Sequence, residues 1–312
     1  MICDKINTLA SAKIPFLFIS NFDASVVEVF ALDELDDADV EFCIDENYIY
    51  KKHQHEFKKE AVGFKSYEQK FNLVQEKIKS GDTYLLNLTQ PTKIETELSL
   101  KEIYALANAR YKLRYKDQFV CFSPESFIQI KDNTIHTFPM KGTIDSSLKN
   151  AKEIILNDEK EMAEHTMVVD LLRNDLSIIA KKVRVEQFRY IQKIDSGVKK
   201  LLQVSSHISG SLEKNWQKRF CEIIYSLLPA GSISGTPKRS TVEIIKSVEG
   251  YERGFFSGVF GFFDGESFDS GVMIRFIQKN RDGYIYKSGG GITAQSTASA
   301  EYNELLDKIY LP

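Results

Sequence analysis

Residues 126–138 read SFIQIKDNTIHTF and decide the fold class, because two runs rich in apolar and β-branched residues flank the dipeptide Asp132-Asn133. Asp and Asn tolerate the left-handed backbone of a tight turn, so this pattern predicts a β-hairpin. The same pattern recurs in the last third of the chain, where apolar runs linked by Asp-Gly turns cover residues 255–263, 270–278 and 283–288. Runs of strands interrupted by helices, without strict β-α-β alternation, predict an α+β fold with antiparallel sheets.

Helical segments separate these strand runs. Ser66 with Gln69, and Ser99 with Glu102, have the spacing of capping boxes and predict two helix starts. Further helices are predicted at about 149–157, 159–173, 214–227 and 298–309, and from Pro237 with Thr236 as the N-cap.

The chain divides into a short segment and one domain. Residues 83–90, TYLLNLTQ, predict a strand that ends at Pro91, since proline donates no hydrogen bond to a sheet. Residues 1–65 contain short alternating apolar stretches and predict a short, partly strand-forming N-terminal segment. Loops after it are short, so residues 66–312 are predicted to form a single domain.

Composition indicates an ordinary soluble protein. The net charge of −3 and the pI of about 6.0 do not indicate binding to nucleic acid or to an anionic membrane, which are typical of basic proteins. No apolar run approaches the roughly 20 residues of a membrane span, and the N-terminus is a poor signal peptide. The four cysteines are scattered, which predicts reduced thiols in a cytoplasmic protein rather than disulfides or a zinc site.

Two helices each carry a Glu-x-x-Glu pair. Glu161 and Glu164 lie in one helix, and Glu301 and Glu304 lie in the last, so each pair shares a helical face. Brought together, the two pairs would form an oxygen-only site suited to Mg²⁺. Surface glutamates are the alternative for either pair alone. A di-iron site does not fit, because it needs a Glu-x-x-His spacing that His165 does not have.

Three further features could bind an anion. The Gly/Ser-rich stretch at 228–245 runs into a helix N-terminus, where free backbone N–H groups favour a phosphate or carboxylate. Gly289 to Gly291 form either a mobile loop or a backbone that a ligand can approach closely. Strand alternation places Arg275 inward, where a carboxylate partner is expected, and a structural ion pair is the alternative.

A lysine lies beside these features in FPMKGT, residues 138–143. Two interpretations of Lys141 are open. An ordinary surface lysine needs no further explanation, but a lysine opposite a carboxylate at the mouth of a sheet could be a nucleophile. Combined, the patterns describe a site for a small molecule with several carboxylates.

Eight motifs follow one another along the chain: SGDTYLLNLT (80–89), SPESF (123–127), PMKGTI (139–144), AEHTMVVDLLRNDL (163–176), GSISGTPK (231–238), VMIRF (272–276), GGGITAQS (289–296) and AEYNELLDK (300–308). In this order they resemble the motifs of the chorismate-utilising enzymes, a family that comprises anthranilate synthase component I, aminodeoxychorismate synthase component I, and the isochorismate and salicylate synthases. The resemblance covers about residues 66–311 and implies one large α+β chorismate-binding domain, with two antiparallel sheets flanked by helices.

The resemblance also implies roles for individual residues. Lys141 resembles the amine nucleophile of the aminodeoxychorismate synthases, and Glu125 the general acid that protonates the leaving hydroxyl. Glu164 and Glu304 resemble Mg²⁺ ligands, with Glu161 and Glu301 beside them. The implied chorismate contacts are Gly142, Thr143, Ser232, Arg275, Gly289, Gly290 and Gly291.

Within the family, Lys141 favours the aminodeoxychorismate synthase group, which makes 4-amino-4-deoxychorismate from chorismate and ammonia for p-aminobenzoate and folate. Leu85 stands where the isochorismate synthases have a basic lysine, and this disfavours that group. Gln203 replaces a histidine and Phe262 a tyrosine of the usual site. A separate glutamine amidotransferase subunit is expected to supply ammonia. Anthranilate synthase component I and a non-catalytic chorismate-binding regulatory subunit remain the alternatives.

Overall fold

In the computed structural model, the described residues are 2–45, 55, 57–195 and 200–312. The helices in these ranges are α1 (Ile2–Ser11), α2 (Phe64–Lys79), α3 (Leu100–Leu106), α4 (Ala151–Asn157), α5 (Glu159–Ile179), α6 (Phe220–Leu227), α7 (Gly231–Ser234), α8 (Lys238–Glu249) and α9 (Ala298–Asp307). The strands are β1 (Phe16–Ser20), β2 (Val27–Ala31), β3 (Val40–Ile44), β4 (Lys58–Glu60), β5 (Leu85–Glu95), β6 (Tyr111–Tyr115), β7 (Phe119–Ser123), β8 (Ser126–Lys131), β9 (Thr134–Thr137), β10 (Met140–Asp145), β11 (Lys181–Asp195), β12 (Lys200–Ser211), β13 (Gly235–Thr236), β14 (Val259–Phe263), β15 (Phe268–Val272), β16 (Phe276–Asn280) and β17 (Gly283–Ile292).

The described strands form two antiparallel sheets. The first has the order β10-β12-β9-β8-β15-β14-β1-β2, and β11 also pairs with β12. The second has the order β13-β5-β17-β16-β7-β6-β3, and β4 also pairs with β5. The predicted α+β fold with two antiparallel sheets is therefore confirmed. The predicted hairpin is present as β8 and β9, with Asp132 and Asn133 at φ +50° and +57°.

Side-chain alternation along β1 explains how the layers pack. Leu17 and Ile19 belong to a cluster with Tyr111 and Phe119, so this face of the first sheet packs on the second sheet. Phe16 points the other way and contacts the Phe220 ring of α6 at 5.4 Å between centroids. Because successive strand residues face opposite sides, one strand serves both a sheet–sheet core and a sheet–helix core.

The N-terminal residues are part of both sheets. β1 lies between β14 and β2, and β3 pairs with β6. The division of the chain at residue 66 stays a prediction. The expectation that all four cysteines are reduced is wrong for Cys3 and Cys221, which form a disulfide between α1 and α6, whereas Cys43 and Cys121 are free thiols. None of the described helices is long and apolar enough to cross a membrane.

Some predicted element boundaries are also wrong. Helix α2 begins at Phe64 after Gly63, so Ser66 lies inside its first turn and forms no cap. The Ser99–Glu102 capping box is confirmed, with Ser99 N donating to Glu102 Oε2 at 2.8 Å. Strand β5 continues through Pro91, because that residue lies in the gap between the segments paired with β13 and β4. Helix α8 begins at Lys238, one residue later than predicted.

Candidate active site

A cavity of about 260 Å³ collects the residues that the sequence analysis selected. Its walls come from both sheets and from α9. The nine predicted catalytic and substrate-contacting residues and one predicted metal ligand line it, namely Glu125, Lys141, Gly142, Thr143, Ser232, Arg275, Gly289, Gly290, Gly291 and Glu304. The chain positions that lie far apart in sequence therefore meet in one pocket.

A β-bulge places Lys141 in this cavity. The register of β10 against β12 shifts between Lys141 and Thr143, and Gly142 between them has φ +76°. A Cβ atom at Gly142 would also lie 2.8 Å from Glu161 Oε2. Both the backbone conformation and the close carboxylate require glycine here. The bulge turns the Lys141 amine toward β17, where its Nζ lies 3.1 Å from the position a Cβ would take at Gly291.

Glu125 and Arg275 occupy two neighbouring points where the chain crosses between the sheets. Glu125 joins β7 to β8, and Arg275 joins β15 to β16. Backbone hydrogen bonds link the crossings, from Phe122 N to Arg275 O and from Val272 N to Glu125 O. Crossing segments end their strand pairing and leave side chains free to point into the gap between the sheets, which is where the cavity lies.

The environment of Glu125 favours its protonated form. Ser232 Oγ donates a hydrogen bond to Glu125 Oε1 at 2.5 Å. Burial raises the pKa of Glu125 above its ordinary value, although Ser232 and the charges of Lys141, Lys308 and Arg275 oppose the rise. A carboxyl group whose pKa is raised by burial, in the same cavity as an amine, is suited to general acid catalysis.

Arg275 differs from its predicted position within a continuous strand. It has φ +51° and lies in a bend between two strands, so the strand alternation that predicted its inward direction does not apply. Its guanidinium lies over the Tyr310 ring, 5.7 Å from the centroid, and its buried Nε has no hydrogen-bond partner among the described residues. The described part of the chain pairs no carboxylate with it at ion-pair distance. An anionic ligand would satisfy this donor.

Gly289 to Gly291 are a strand edge and not a loop. They pair with β5, whereas the pairing of β17 with β16 stops at Lys287. On that side, backbone groups of the glycines face the cavity without a neighbouring strand in the described ranges. A Cβ at Gly289 would lie 2.4 Å from Leu88 O, so the close pairing with β5 requires glycine there. The free edge on the other side would let a ligand contact backbone groups.

Of the four glutamates predicted at the metal site, Glu304 lines the cavity and the other three lie outside its lining. Glu301 Oε2 and Glu304 Oε1 are 3.3 and 3.7 Å from the Cβ position of Gly290. The Lys160 ammonium lies 3.8 Å from Glu164 Oε1 and 3.9 Å from Glu301 Oε1, so one cation already lies between the two helices. The structure thus brings both Glu-x-x-Glu pairs to one place.

Burial governs the charges of these carboxyl groups. It raises the pKa values of Glu161, Glu164 and Glu301 above their ordinary range. Burial acts on Glu304 too, but the charge and hydrogen bond of Lys308, at 2.6 Å, lower its pKa overall. Among the described residues, no three His, Cys, Asp or Glu side chains are grouped closely enough to hold a metal ion. The Mg²⁺ site therefore stays a prediction, which would need one or two of these carboxylates, with water and ligand oxygens completing the shell.

The structure also places the positions that depart from the family pattern. Gln203 lines the cavity opposite Thr143 in the β10–β12 pairing. His207 lies outside the cavity lining and hydrogen-bonds His136, with 3.0 Å between Nε2 and Nδ1. Phe262 packs on Phe42, also away from the cavity, and the aromatic ring of this segment that does line it is Phe256.

Sequence reasoning missed Lys308, Lys287 and Asn87, which also line the cavity. Helical spacing could have found Lys308, because it follows Glu301 and Glu304 by seven and four residues on one face. Its ammonium donates to Gly289 O at 2.8 Å and so joins α9 to the glycine strand. Lys287 directly precedes Ser288, and no pattern in the neighbouring sequence predicts that it is buried.

Comparison with known proteins identifies the family. The model of the chorismate binding enzymes matches residues 33–311, so the chain belongs to this family and is an enzyme that acts on chorismate. An uncharacterized PabA-like protein of Haemophilus influenzae is 51% identical over 256 residues, which cover 82% of this chain and 78% of that protein.

Two relatives with named activities are more distant. Aminodeoxychorismate synthase component 1 of Bacillus subtilis is 31% identical over 78% of this chain and 54% of its own length. Anthranilate synthase component 1 of Archaeoglobus fulgidus is 30% identical over 75% of this chain and 58% of its own length. The chain thus spans little more than half of either protein.

Solved structures agree with the fold. The menaquinone-specific isochorismate synthase of Escherichia coli matches with a TM-score of 0.75 at 15% identity, over 98% of this chain and 79% of that one. Anthranilate synthase component I of Streptococcus pneumoniae matches with a TM-score of 0.67 at 24% identity, over 82% of this chain and 59% of that one. At these identities the likeness supports the architecture alone.

Proposed function

We propose that this protein is an aminodeoxychorismate synthase component I, which converts chorismate and ammonia to 4-amino-4-deoxychorismate. The observation that carries the proposal is the arrangement of an amine and a carboxyl group in one cavity: Lys141 beside the glycine strand, and Glu125 with a raised pKa at the neighbouring crossing. Gln203 at the cavity wall supports an enzyme that stops at this product, because an imidazole there would help remove the proton needed for pyruvate elimination.

Lys141 performs nucleophilic catalysis in this scheme. Its amine adds at C2 of chorismate as the hydroxyl group leaves C4, and ammonia then adds at C4 as the lysine departs from C2. Two displacements retain the configuration at C4 and replace one difficult substitution with two easier ones. Glu125 gives its proton to the leaving hydroxyl and is left as a carboxylate next to the cationic groups of the cavity.

The remaining residues bind and orient the substrate. Arg275 and the free edge of Gly289 to Gly291 provide donors for carboxylate oxygens, and Ser232 orients Glu125. Glu164 and Glu304 would hold Mg²⁺, with Glu161 and Glu301 adjacent. Mg²⁺, when bound there, would hold the ring carboxylate and neutralise its charge.

Ammonia is proposed to come from a separate glutamine amidotransferase subunit. Both curated relatives with named activities are called component 1, which supports a partner subunit. A role in p-aminobenzoate and folate synthesis, and a cytoplasmic location, belong to the same proposal.

Product identification by mass spectrometry tests this function. Purified protein is incubated with chorismate, MgCl₂ and ammonium chloride, and the product is separated and weighed. Aminodeoxychorismate is the expected product. Anthranilate with pyruvate would instead make the protein an anthranilate synthase component I. Chorismate binding with no turnover, with or without an amidotransferase, would support a non-catalytic binding protein.

Chelation is expected to abolish turnover. EDTA should stop chorismate consumption and MgCl₂ should restore it, because the buried glutamates require a counter-charge to hold a carboxylate substrate. Glu164→Gln should raise the Mg²⁺ concentration for half-maximal activity by about 10- to 100-fold. Glu159→Gln, in the exposed first turn of the same helix, is the matched control. Equal Mg²⁺ dependence of both variants would contradict the assignment.

A methyl group at Gly291 is expected to impair the site without unfolding the protein. Its Cβ would lie 3.1 Å from Lys141 Nζ and 3.3 Å from Leu85 Cδ1, both ends of flexible side chains. The side chains can move, but the amine then leaves its reactive position, so kcat should fall by about 10²-fold. Gly63→Ala has no atom within 4 Å of the new Cβ and is the control. Kinetics and Tm should be measured for both variants, and an unchanged kcat would refute the prediction.

A further inference from the structure

A second cavity, of about 480 Å³, lies next to the active-site cavity. Its walls are the β1–β2 turn at residues 21–25, the C-terminal part of α8, and residues 249–254. Several rim residues, including Ser25 and Lys246, are exposed, so this cavity opens to solvent. The floor is formed by buried Phe22, Glu249 and Arg253.

Arg253 separates the two cavities. Its guanidinium donates to Asn87 O at 2.6 Å, to Ile233 O at 2.9 Å and to Ser257 Oγ at 3.4 Å. Those three residues line the active-site cavity, whereas Arg253 itself lines the second. Glu249 fixes the guanidinium from the other side, at 2.7 and 2.9 Å. Both charged residues are almost fully buried, and breaking such a pair is costly, so this part of the partition is rigid.

Lys287 closes a weaker part of the same partition. Its side chain lines the active-site cavity, and its ammonium donates to Arg253 O at 2.9 Å and to Glu252 O at 3.4 Å. Arg253 and Glu252 line the second cavity. Burial lowers the pKa of Lys287 to about 8, so its ammonium group loses a proton more readily than a guanidinium group does.

The surroundings of the Lys287 ammonium suit ammonium or ammonia. Two carbonyl oxygens accept from it, and the rings of Tyr251 and Phe276 lie 5.4 and 5.8 Å away. Carbonyl acceptors and aromatic faces are general features of ammonium recognition. A small nitrogen nucleophile could occupy this position when the lysine side chain moves.

We propose that the second cavity is the inlet for ammonia, which passes the partition where Lys287 closes it. This inference rests on the proposed amination. A cavity of about 260 Å³ is small for a ligand site, so a cyclic dicarboxylate would fill most of it and block passage of a second substrate from its mouth. An entrance behind Lys287 lets the nucleophile arrive while chorismate is already bound.

Blocking the inlet at its rim tests the proposal. Lys246→Trp and Ser25→Trp place an indole in the second cavity from opposite walls, at exposed positions that do not line the active site. Arg239→Trp, exposed on the same helix as Lys246 but outside the cavity lining, is the matched control. Initial rates are measured with ammonium chloride and chorismate varied separately, after circular dichroism has verified the fold of each variant.

Both rim variants should lower kcat/KM for ammonium by about ten-fold, with KM for chorismate unchanged. Arg239→Trp should match the wild type. Lys287→Ala, which removes the side chain from the partition, should raise kcat/KM for methylamine, a larger nucleophile, by about ten-fold. Unchanged ammonium kinetics in the rim variants, or no gain for methylamine in Lys287→Ala, would overturn the inlet. If the wild-type protein forms no aminated product, the proposed function itself is refuted. That result differs from the two outcomes that would overturn only the inlet.

Discussion

Lys141→Ala is expected to lower the rate of chorismate amination by about 10³-fold or more, while chorismate binding changes little. The loss follows from the chemistry, because without the amine at C2 the enzyme must replace the C4 hydroxyl in a single displacement. Lys141 lies at a β-bulge that Gly142 makes possible. No other described lysine has an atom within 4 Å of the Cβ position of Gly291. Rates should be measured by product mass spectrometry, and affinity by calorimetry.

A second substitution separates nucleophilicity from charge. Lys141→Arg keeps a cation beside Glu125 and the glutamates but provides no usable nucleophile, so it should be nearly as inactive as Lys141→Ala. Lys149→Ala, at an exposed position after β10, is the control and should keep full activity. Intact-protein mass spectrometry of the wild type with chorismate, without ammonium, should detect a covalent adduct on Lys141. High activity of Lys141→Arg would show that the residue acts only through its charge.

The sheet architecture could be predicted because its signals are local. The hairpin at Asp132-Asn133 and the capping box at Ser99 each depend on a few adjacent residues. Boundaries failed where a distant partner decides the outcome. Strand β5 continues through Pro91 because neither β13 nor β4 pairs with β5 at that residue. The backbone bends at Arg275 because the chain passes from one sheet to the other there. Neither partner can be identified from neighbouring residues.

The position of the candidate site could be predicted for another reason. Ordered motifs selected Lys141, Glu125 and Glu304, and the fold places these three around one cavity, while their roles stay predictions. Residues without a motif were missed. Lys287 reaches the partition only because β17 pairs with β5 and the segment that follows α8 folds against it. The Cys3–Cys221 disulfide likewise joins residues 218 positions apart, and cysteine spacing alone contains no sign of it.

Glu125→Gln is expected to lower kcat/KM by about 10²- to 10⁴-fold, the usual contribution of a positioned general acid. The amide has the same shape and can still accept the hydrogen bond from Ser232, so folding should be little affected. Glu159→Gln again serves as the control. Activity of Glu125→Gln close to that of the wild type would remove Glu125 from the mechanism.

The pH profile distinguishes an acid from a structural carboxyl group. Burial raises the pKa of Glu125, and only the protonated form can donate to the leaving hydroxyl, so kcat/KM should decline as pH rises through that pKa. Ser232 stabilises the carboxylate by its hydrogen bond and therefore opposes the rise. Ser232→Ala removes this donor, so the pKa should increase further and the alkaline limb should move to higher pH. A limb that stays in place, or moves to lower pH, would mean that another group controls it. Because Ser232→Ala leaves the carboxyl group intact, a shift to higher pH is the result expected of a Glu125 that acts while protonated.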